Sequence, residues 1–132
     1  VLRTAHGTVE LASGDSDDND IVMLAPIPSN AAVPSLFIGS DTLGGSCTFN
    51  VGIYTSAGVV KDEDVFATLV ADAAGMADVR FEAANIDTAG KKMWELAGDS
   101  SDPGGYYYVA ATMAADGQTA GTMSWNISYV VN

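Results

Sequence analysis

The densest group of potential metal ligands is the heptapeptide GDSDDND, which begins at Gly14. Three of its residues match positions one, three and five of an EF-hand calcium loop: Asp15, Asp17 and Asn19. The match fails at position six, where Asp20 replaces glycine, and at position twelve, where Pro26 replaces glutamate. Asp and Asn side chains often bond the local backbone of exposed turns. The stretch is therefore interpreted as a solvated turn, with a weak cation site outside the EF-hand pattern as the alternative.

Nucleophilic catalysis would require the only histidine, His6, beside the only cysteine, Cys47. Cys47 lies in GGSCTFN, an alternating segment in which a small buried side chain is the usual role of cysteine. The sequence contains no GxSxG elbow, no glycine-rich phosphate loop and no His/Cys metal spacing. We expect no catalytic residue, no metal site and no cofactor.

Paired carboxylates are a second possible source of chemistry, because acid–base hydrolysis needs two acids at a fixed separation. The pairs Asp62/Asp64 and Asp99/Asp102 have suitable spacing. With 17 acidic residues in the chain, such pairs also arise by chance. We interpret the first pair as helix capping and the second as solvation of a loop.

Aromatic residues suggest a different class of site. Three consecutive tyrosines and two tryptophans could stack against sugar rings: Tyr106, Tyr107, Tyr108, Trp94 and Trp125. Strand alternation places Tyr107 on the face opposite Tyr106 and Tyr108, so at least one tyrosine is expected off the core. A carbohydrate-binding or host-recognition module of a tail or fibre is therefore the alternative function.

Composition narrows the classes of partner. The 132 residues carry 17 acids and five scattered bases, a net charge of -12. Without a basic patch, the chain is not expected to bind nucleic acid or an anionic membrane. A single cysteine excludes an internal disulfide, so the hydrophobic core must hold the fold together.

Alternation of apolar and polar residues predicts the strands. The strongest signal is Thr122–Val131, and the residues expected to point inward are Met123, Trp125, Ile127, Tyr129 and Val131. Turn residues before it predict antiparallel pairing with Tyr106–Met113. Earlier strands are predicted in DIVMLAPI, PSLFIGS, SCTFNVGIY and DVRFEA, with a tight turn at TSAG.

Two short helices are predicted between the strands. One begins at Asp62 and would place on one face Val65, Phe66, Leu69 and Val70. The other begins at Asp87 or Thr88 and ends at Gly98. The prolines at positions 26, 28 and 34 are expected to keep their segment out of central sheet positions.

These elements predict a mostly β protein. The expected fold is an antiparallel, jelly-roll-like β-sandwich of about eight strands with two short helical insertions. Residues 1–13 are predicted to be an N-terminal arm or edge strand, and residues 14–132 a single β-sandwich domain.

Two segments, Val51–Ala67 and Lys91–Met113, resemble the head decoration (cement) proteins of tailed bacteriophages. The shared features are a strand ending in Gly-Ile-Tyr, a small turn, Val-Val before an acidic cap, then Trp-Glu-Leu, Asp-Pro-Gly and a tyrosine-led strand. The resemblance implies a non-enzymatic virion protein. It implies homotrimers on the outer surface of the phage head, where each clamps neighbouring subunits of the major capsid protein.

The resemblance also implies contact residues. An extended N-terminal segment can bind a neighbour through main-chain hydrogen bonds, and an outward tyrosine can add contact area. The candidate capsid or intersubunit contacts are Leu2, Arg3, His6, Val9, Leu11 and Tyr107.

Overall fold

The structure is a computed structural model that describes residues 2–15, 17–44, 47–71, 76–79, 90–117 and 119–131. In these residues, seven strands of 8 to 12 residues, one strand of three and one short helix are present. The elements are β1 Leu2–Leu11, β2 Ile21–Pro28, β3 Ala31–Ser40, β4 Thr48–Thr55, β5 Val60–Ala71, β6 Met76–Asp78, α1 Met93–Leu96, β7 Tyr106–Met113 and β8 Gly121–Val131. No helix in the described ranges is long and apolar enough to cross a membrane.

The strands form two four-stranded sheets. Sheet A has the order β1-β8-β3-β6 and sheet B the order β2-β7-β4-β5, and every pairing is antiparallel. The pairs β1–β8, β2–β7, β3–β6 and β4–β5 are nested, as in one long hairpin rolled into two layers. This is the arrangement of a jelly roll. The prediction of a mostly β protein built from antiparallel sheets is confirmed.

One hydrophobic cluster joins the two sheets. Leu36 and Ile127 contribute from sheet A, and Phe49 and Val109 contribute from sheet B, all fully buried. Burying a large apolar side chain stabilises a fold by about 1.5–3 kcal/mol. The inner faces of the sheets therefore supply the main cohesion of a chain that has no disulfide.

Strand β8 follows the predicted alternation. Its buried residues are the first three of the predicted inward set, Met123, Trp125 and Ile127. Tyr129 and Val131 are partly buried against the same cluster. The predicted strands that became β2, β3 and β4 are also confirmed, and the TSAG turn connects β4 to β5.

The predicted pairing of the last two long strands is wrong. Strand β7 lies in sheet B between β2 and β4, whereas β8 lies in sheet A between β1 and β3. Their connection crosses from one layer to the other instead of forming a hairpin. Turn residues predict that the chain changes direction, but they do not determine which sheet the next strand joins.

The helix predicted to begin at Asp62 is also wrong, because this segment belongs to β5. Val51 pairs with Ala67, but Ile53 pairs with Asp62. Positions 63–66 therefore bulge opposite the single residue Gly52. A further shift between Ile53 and Tyr54 extends this irregular stretch, here called the β5 bulge, to positions 61–66.

The bulge explains the misleading sequence pattern. Phe66 and Ala67 are both fully buried although they are adjacent in the chain. A bulge interrupts the period-two alternation of a strand, and the apolar residues then acquire a spacing that imitates a helix face.

The second predicted helix is present as the single turn α1. Its cap is Lys92, whose backbone N–H donates to the Glu95 side chain at 3.2 Å. Gly98 follows the helix with a φ of 83°, a left-handed conformation that glycine adopts readily. The predicted start at residue 87 or 88 lies outside the described residues, as does most of the DVRFEA run.

The prolines divide into two cases. Pro26 and Pro28 lie in β2, an edge strand of sheet B, as expected. Pro34 lies in β3, between β8 and β6, so that expectation fails there. The register with β8 shifts between Ala32 and Ser35, and this bulge accommodates a residue that has no N–H to donate.

Candidate interaction surfaces

The acidic stretch after β1 forms hydrogen-bonded turns. The Asp15 carboxylate accepts the Ala12 N–H at 2.8 Å, and the Asp20 carboxylate accepts the Asp17 N–H at 3.1 Å. Asn19 has a φ of 71°, in the left-handed region that Asn tolerates. The side chains bond local backbone, as the turn interpretation predicts. Among the described residues no group of three or more His, Cys, Asp or Glu side chains is arranged to hold a metal ion.

The same stretch is tied to the far end of β7. The Asn19 N–H donates to the Met113 carbonyl and the Met113 N–H donates to the Asp20 carbonyl, both at 2.8 Å. The Asp18 N–H donates to the Asp116 carboxylate at 2.6 Å. These bonds attach the β1–β2 connection to the end of β7 and to the residues after it. The loop therefore links sheet A, which contains β1, to sheet B, which contains β7.

Five of the six predicted contact residues lie on β1, at one edge of sheet A. Leu2 is 62% exposed, and Arg3 and His6 are also exposed. Val9 is partly buried and Leu11 is buried in the core, so Leu11 does not offer a contact surface. In this structure the segment is paired with β8 of its own chain along its whole length.

The outer face of sheet A is poor in charge. Alternation and register place on it Leu2, Thr4, His6, Thr8 and Glu10 of β1, Ala32, Ser35 and Phe37 of β3, and Thr122, Ser124, Asn126, Ser128 and Val130 of β8. Glu10 is the only one of these with a formal charge when His6 is neutral, and it accepts a 2.7 Å hydrogen bond from the Thr122 hydroxyl. The next acid, Asp78 of β6, pairs in register with Phe37 at the far edge.

The outer face of sheet B is different. An open depression of about 540 Å³ lies there, with Tyr54 and Thr112 among its lining residues. These two side chains are nearly completely buried and their hydroxyls hydrogen-bond to each other. Ile21 and Val60 add exposed apolar surface, and Asp62 and Glu63 of the β5 bulge form an acidic wall.

The acids of the bulge affect one another. Burial raises the pKa of Asp62, and a side-chain hydrogen bond with Asp64 and the charges of Asp64 and Glu63 raise it further, against a smaller lowering by the Asp64 N–H. Lys61 also lines the depression, but its ammonium is bonded to Asp99 at 2.9 Å. The first predicted acid pair is therefore part of a strand bulge and not a helix cap.

Tyr107, the sixth predicted contact residue, is only 5% exposed in this structure. Its hydroxyl donates to Asp99, which also binds Lys61 of β5. Hydrogen bonds from Tyr107 and Lys61 lower the pKa of Asp99. Burial, and then the hydrogen bond and charge of Asp99, raise the pKa of Tyr107 to about 12. The group joins β7, the loop after α1, and β5.

The second member of the predicted loop pair, Asp102, also has a structural role. It accepts a 2.6 Å hydrogen bond from the Ser29 hydroxyl and a 2.8 Å bond from the Gly104 N–H. These bonds lower its pKa. The pair Asp99/Asp102 is thus a set of anchors for a loop and not only a solvated turn. Sequence reasoning missed these long-range partners, which have no local signal.

The aromatic residues do not form a flat platform. Tyr107 and Trp125 are buried, and Trp94 is partly buried against the core. Tyr106 is 48% exposed and meets Tyr108 edge to face, with ring centroids 5.7 Å apart and planes at 79°. The predicted alternation of the three tyrosines is confirmed, but the buried member is the central one.

The two residues considered for nucleophilic catalysis are not brought together. His6 is exposed on the outer face of sheet A, whereas Cys47 is 1% exposed in the core. A buried cysteine in an apolar cluster serves as a small packing residue.

Within the described ranges, the nested order of eight strands and the shared core define a jelly-roll β-sandwich. Solved structures offer a comparison. A chain of the Cyanophage Pam1 capsid asymmetric unit is similar, with a TM-score of 0.60 and 13% identity over 99% of this chain and 85% of that chain. A chain of the acidic stable capsid structure of Helicobacter pylori bacteriophage KHP30 covers 100% of this chain and 95% of its own, at 12% identity and a TM-score of 0.42. No protein-family model and no curated protein matches the sequence. The first comparison shows a shared fold.

Proposed function

We propose that this protein is a structural component of a bacteriophage virion. The observation that carries the proposal is the jelly-roll fold, which resembles a chain of a cyanophage capsid across 99% of the sequence. The resemblance of Val51–Ala67 and Lys91–Met113 to phage decoration proteins is a separate, sequence-based argument for the same role. Together they favour a virion protein over other proteins that use a β-sandwich.

Within the virion, the proposed role is decoration of the outer surface of the head. Homotrimers would bind between subunits of the major capsid protein and hold them together, without enzymatic activity. A net charge of -12 supports this role, because it keeps a dense array of copies soluble and disfavours contact with nucleic acid.

The outer face of sheet A is the proposed surface for capsid contact. An acidic protein meets another protein at least electrostatic cost through the part of its surface that carries the fewest acids. This face has hydroxyl and amide side chains at its centre, including Ser124, Asn126 and Ser128, with exposed Phe37 beside Asn126 in register. Such side chains can form hydrogen bonds without the desolvation cost of a charge.

The direct test is to mix the purified protein with phage heads that lack decoration. The expected result is saturable binding to the shells and an increase in the temperature at which the heads break open. A protein that fails to bind shells, or that binds without changing their heat resistance, contradicts the decoration role.

The contact surface can be tested with one added charge. Asn126→Asp changes an exposed side chain at the centre of sheet A without altering its size, so folding should be unaffected. Placing a charge in a protein interface commonly costs about 1.4 kcal/mol or more, and we expect binding to shells to weaken about tenfold. The matched control is Ser101→Asp, which adds the same charge to an exposed loop. Equal affinities of the two variants would refute this contact surface.

The oligomeric state needs its own measurement. Native mass spectrometry of the purified protein is expected to give the mass of three 13.6 kDa chains, or a multiple of it where trimers associate further. A monomer that also stays monomeric on the shell would contradict the trimer while leaving the virion role open to the binding test.

Glycan recognition is the alternative, and exposed Tyr106 is the observation that favours it. Its ring is perpendicular to that of Tyr108, so the two rings do not form a flat strip. This function predicts hits on a glycan array that are lost in Tyr106→Ala. An array without hits would contradict glycan recognition.

A further inference from the structure

The four edge strands of the sandwich differ in how they are protected. Edge strands expose unpaired backbone groups, and proteins usually blunt them by shortness, proline, charge or bulges. Strand β6 has only three residues. Strand β2 contains Pro26 and Pro28, and its register shifts between Met23 and Ala25. Both of these edges are therefore poor templates for an added strand.

Strand β5 is protected by irregularity and charge. Its register with β4 shifts at three points, and its bulge carries the consecutive acids Asp62, Glu63 and Asp64. A second strand could not pair along this irregular edge without interrupting the regular spacing of its own backbone hydrogen bonds. In an acidic protein, the three carboxylates would also repel another copy.

Strand β1 has none of these devices. All ten of its residues pair with β8 in one uninterrupted register, and it contains no proline. Its only charged residues are Arg3 and Glu10, which lie near opposite ends. No described residue pairs with β1 on the side away from β8. A long, regular and open edge of this kind is a template for strand addition.

We propose that the open edge of β1 pairs antiparallel with β1 of a second copy of this chain, so that two copies of sheet A become one continuous sheet. The contact is isologous: the same strand edge serves both chains. It does not depend on the virion role. In a virion of decoration trimers, it would link neighbouring trimers across a twofold axis.

Charge supports a second copy in this orientation. Antiparallel pairing keeps the two Glu10 residues at opposite ends of the contact, and the two Arg3 residues likewise, whereas parallel pairing would place like charges side by side. Two chains of net charge -12 also meet at an edge that carries a single acid each. The β1 edge is therefore the one at which self-pairing costs least in repulsion.

The faces of the two sheets restrict the register. Residues directly opposite each other in a sheet point to the same face, so an outward residue must meet an outward residue. Pairing centred on His6 satisfies this rule and places Thr4 of each chain opposite Thr8 of the other, a favourable cross-strand pair. The outward rows of both chains then form one charge-poor surface.

Disulfide trapping tests the pairing. In His6→Cys, the two new thiols would lie on strands whose Cα atoms are about 4.5–5.5 Å apart, within the range of a disulfide. Mild oxidation is expected to convert most of the protein to a covalent dimer. Ser101→Cys, on an exposed loop, is the control, and buried Cys47 is common to both variants. Cross-linking of His6→Cys no greater than that of the control would overturn the proposal.

A second pair of variants separates edge pairing from packing between faces. Thr4→Lys/Thr8→Lys adds two lysines to the edge strand, whereas Asn126→Lys/Ser128→Lys adds two to β8, one strand further in on the same face. In sedimentation velocity experiments, the edge variant is expected to lower the self-association constant at least tenfold and the β8 variant less than threefold. The proposed β1 pairing would be overturned if the β8 variant had the larger effect. It would also be overturned if the wild-type protein showed no association through this edge at the highest soluble concentration.

Discussion

The two sheets of this jelly roll differ in the regularity of their strand pairing and in the charge of their outer faces. In the contact between β1 and β8, the register is constant over ten residue pairs. In sheet B, the register shifts once between β2 and β7 and three times between β4 and β5. Sheet A has one shift of its own, between β3 and β8, and presents a face with few charges. Sheet B has four shifts and presents a face with an acidic depression. The comparison shows that the acidic depression lies beside the most irregular strand pair of the molecule, β4 and β5.

Two glycines illustrate the difference. Gly52 faces the β5 bulge so closely that a Cβ would lie 2.1 Å from the Asp62 carbonyl oxygen and 2.3 Å from the Glu63 carbonyl carbon. Gly7, on β1, has a neighbour of another kind, since its Cβ would lie 2.7 Å from the Trp125 ring. The backbone at Asp62 and Glu63 has less freedom to move aside than the Trp125 side chain has.

The largest effect is expected from Gly52→Ala. The added methyl group would displace the backbone of the β5 bulge, and overpacking of this kind costs about 3 kcal/mol. Urea denaturation monitored by tryptophan fluorescence would measure the loss. If Gly52→Ala lost less stability than the matching change in sheet A, the bulge would not be the fixed feature that separates the two sheets.

Gly7→Ala is that matching change, and its expected cost is about 1–2 kcal/mol, because the Trp125 ring can shift within the edge of the core. The same urea experiment measures it. A shifted ring would also alter the near-ultraviolet circular dichroism of the protein. An unchanged spectrum together with unchanged stability would contradict the close packing of β1 on β8.

Tyr107→Phe tests the bonds that tie sheet B to its loop. Loss of the hydroxyl that donates to Asp99 is expected to cost about 1 kcal/mol at neutral pH. The folded-state pKa of Tyr107 is raised to about 12 from 10.0, so its contribution is complete below pH 10 and is lost as the pH rises towards 12. The stability difference between wild type and variant should therefore narrow across this window in urea titrations. A difference that is constant from pH 9 to pH 12 would contradict the assigned bond.

The smallest effect is expected from Asp62→Asn. The folded-state pKa of Asp62 is raised above 3.8, so its protonated form is favoured by folding and the benefit is lost as the pH rises through the raised pKa. At pH 7 the neutral variant should be more stable than wild type by a few tenths of a kcal/mol, because the site is partly solvated. The difference should vanish at pH 3. Asp17→Asn, in the exposed loop, is the control and should show no such gain.

The sequence predicted strand position and buried residues correctly where alternation is uninterrupted, so that every second side chain points to the core. Alternation located β8 and its buried residues Met123, Trp125 and Ile127, because no bulge interrupts the period of two there. It failed at β5, where Phe66 and Ala67 are both buried after a bulge. A bulge depends on a partner strand that is distant in the sequence, so local periodicity cannot reveal it.

The predicted contact residues differ in their exposure. The sequence pointed to β1, and Leu2, Arg3 and His6 are exposed there. It could not show that Leu11 and Tyr107 are buried, because alternation sorts residues into two faces without saying which face meets the other sheet. The long-range partners of Tyr107 became visible only when β7, β5 and the loop were assembled.

Local patterns in the sequence specify the mostly β composition, the strand positions where alternation is unbroken, and the large excess of acidic residues. The tertiary structure alone decided that β7 and β8 belong to different sheets, and that three edges are blunted while β1 stays open. The physical reason is that hydrophobic periodicity and turn residues are local properties of the chain. Sheet membership, bulges and edge exposure are set by pairing between strands that are far apart in the sequence.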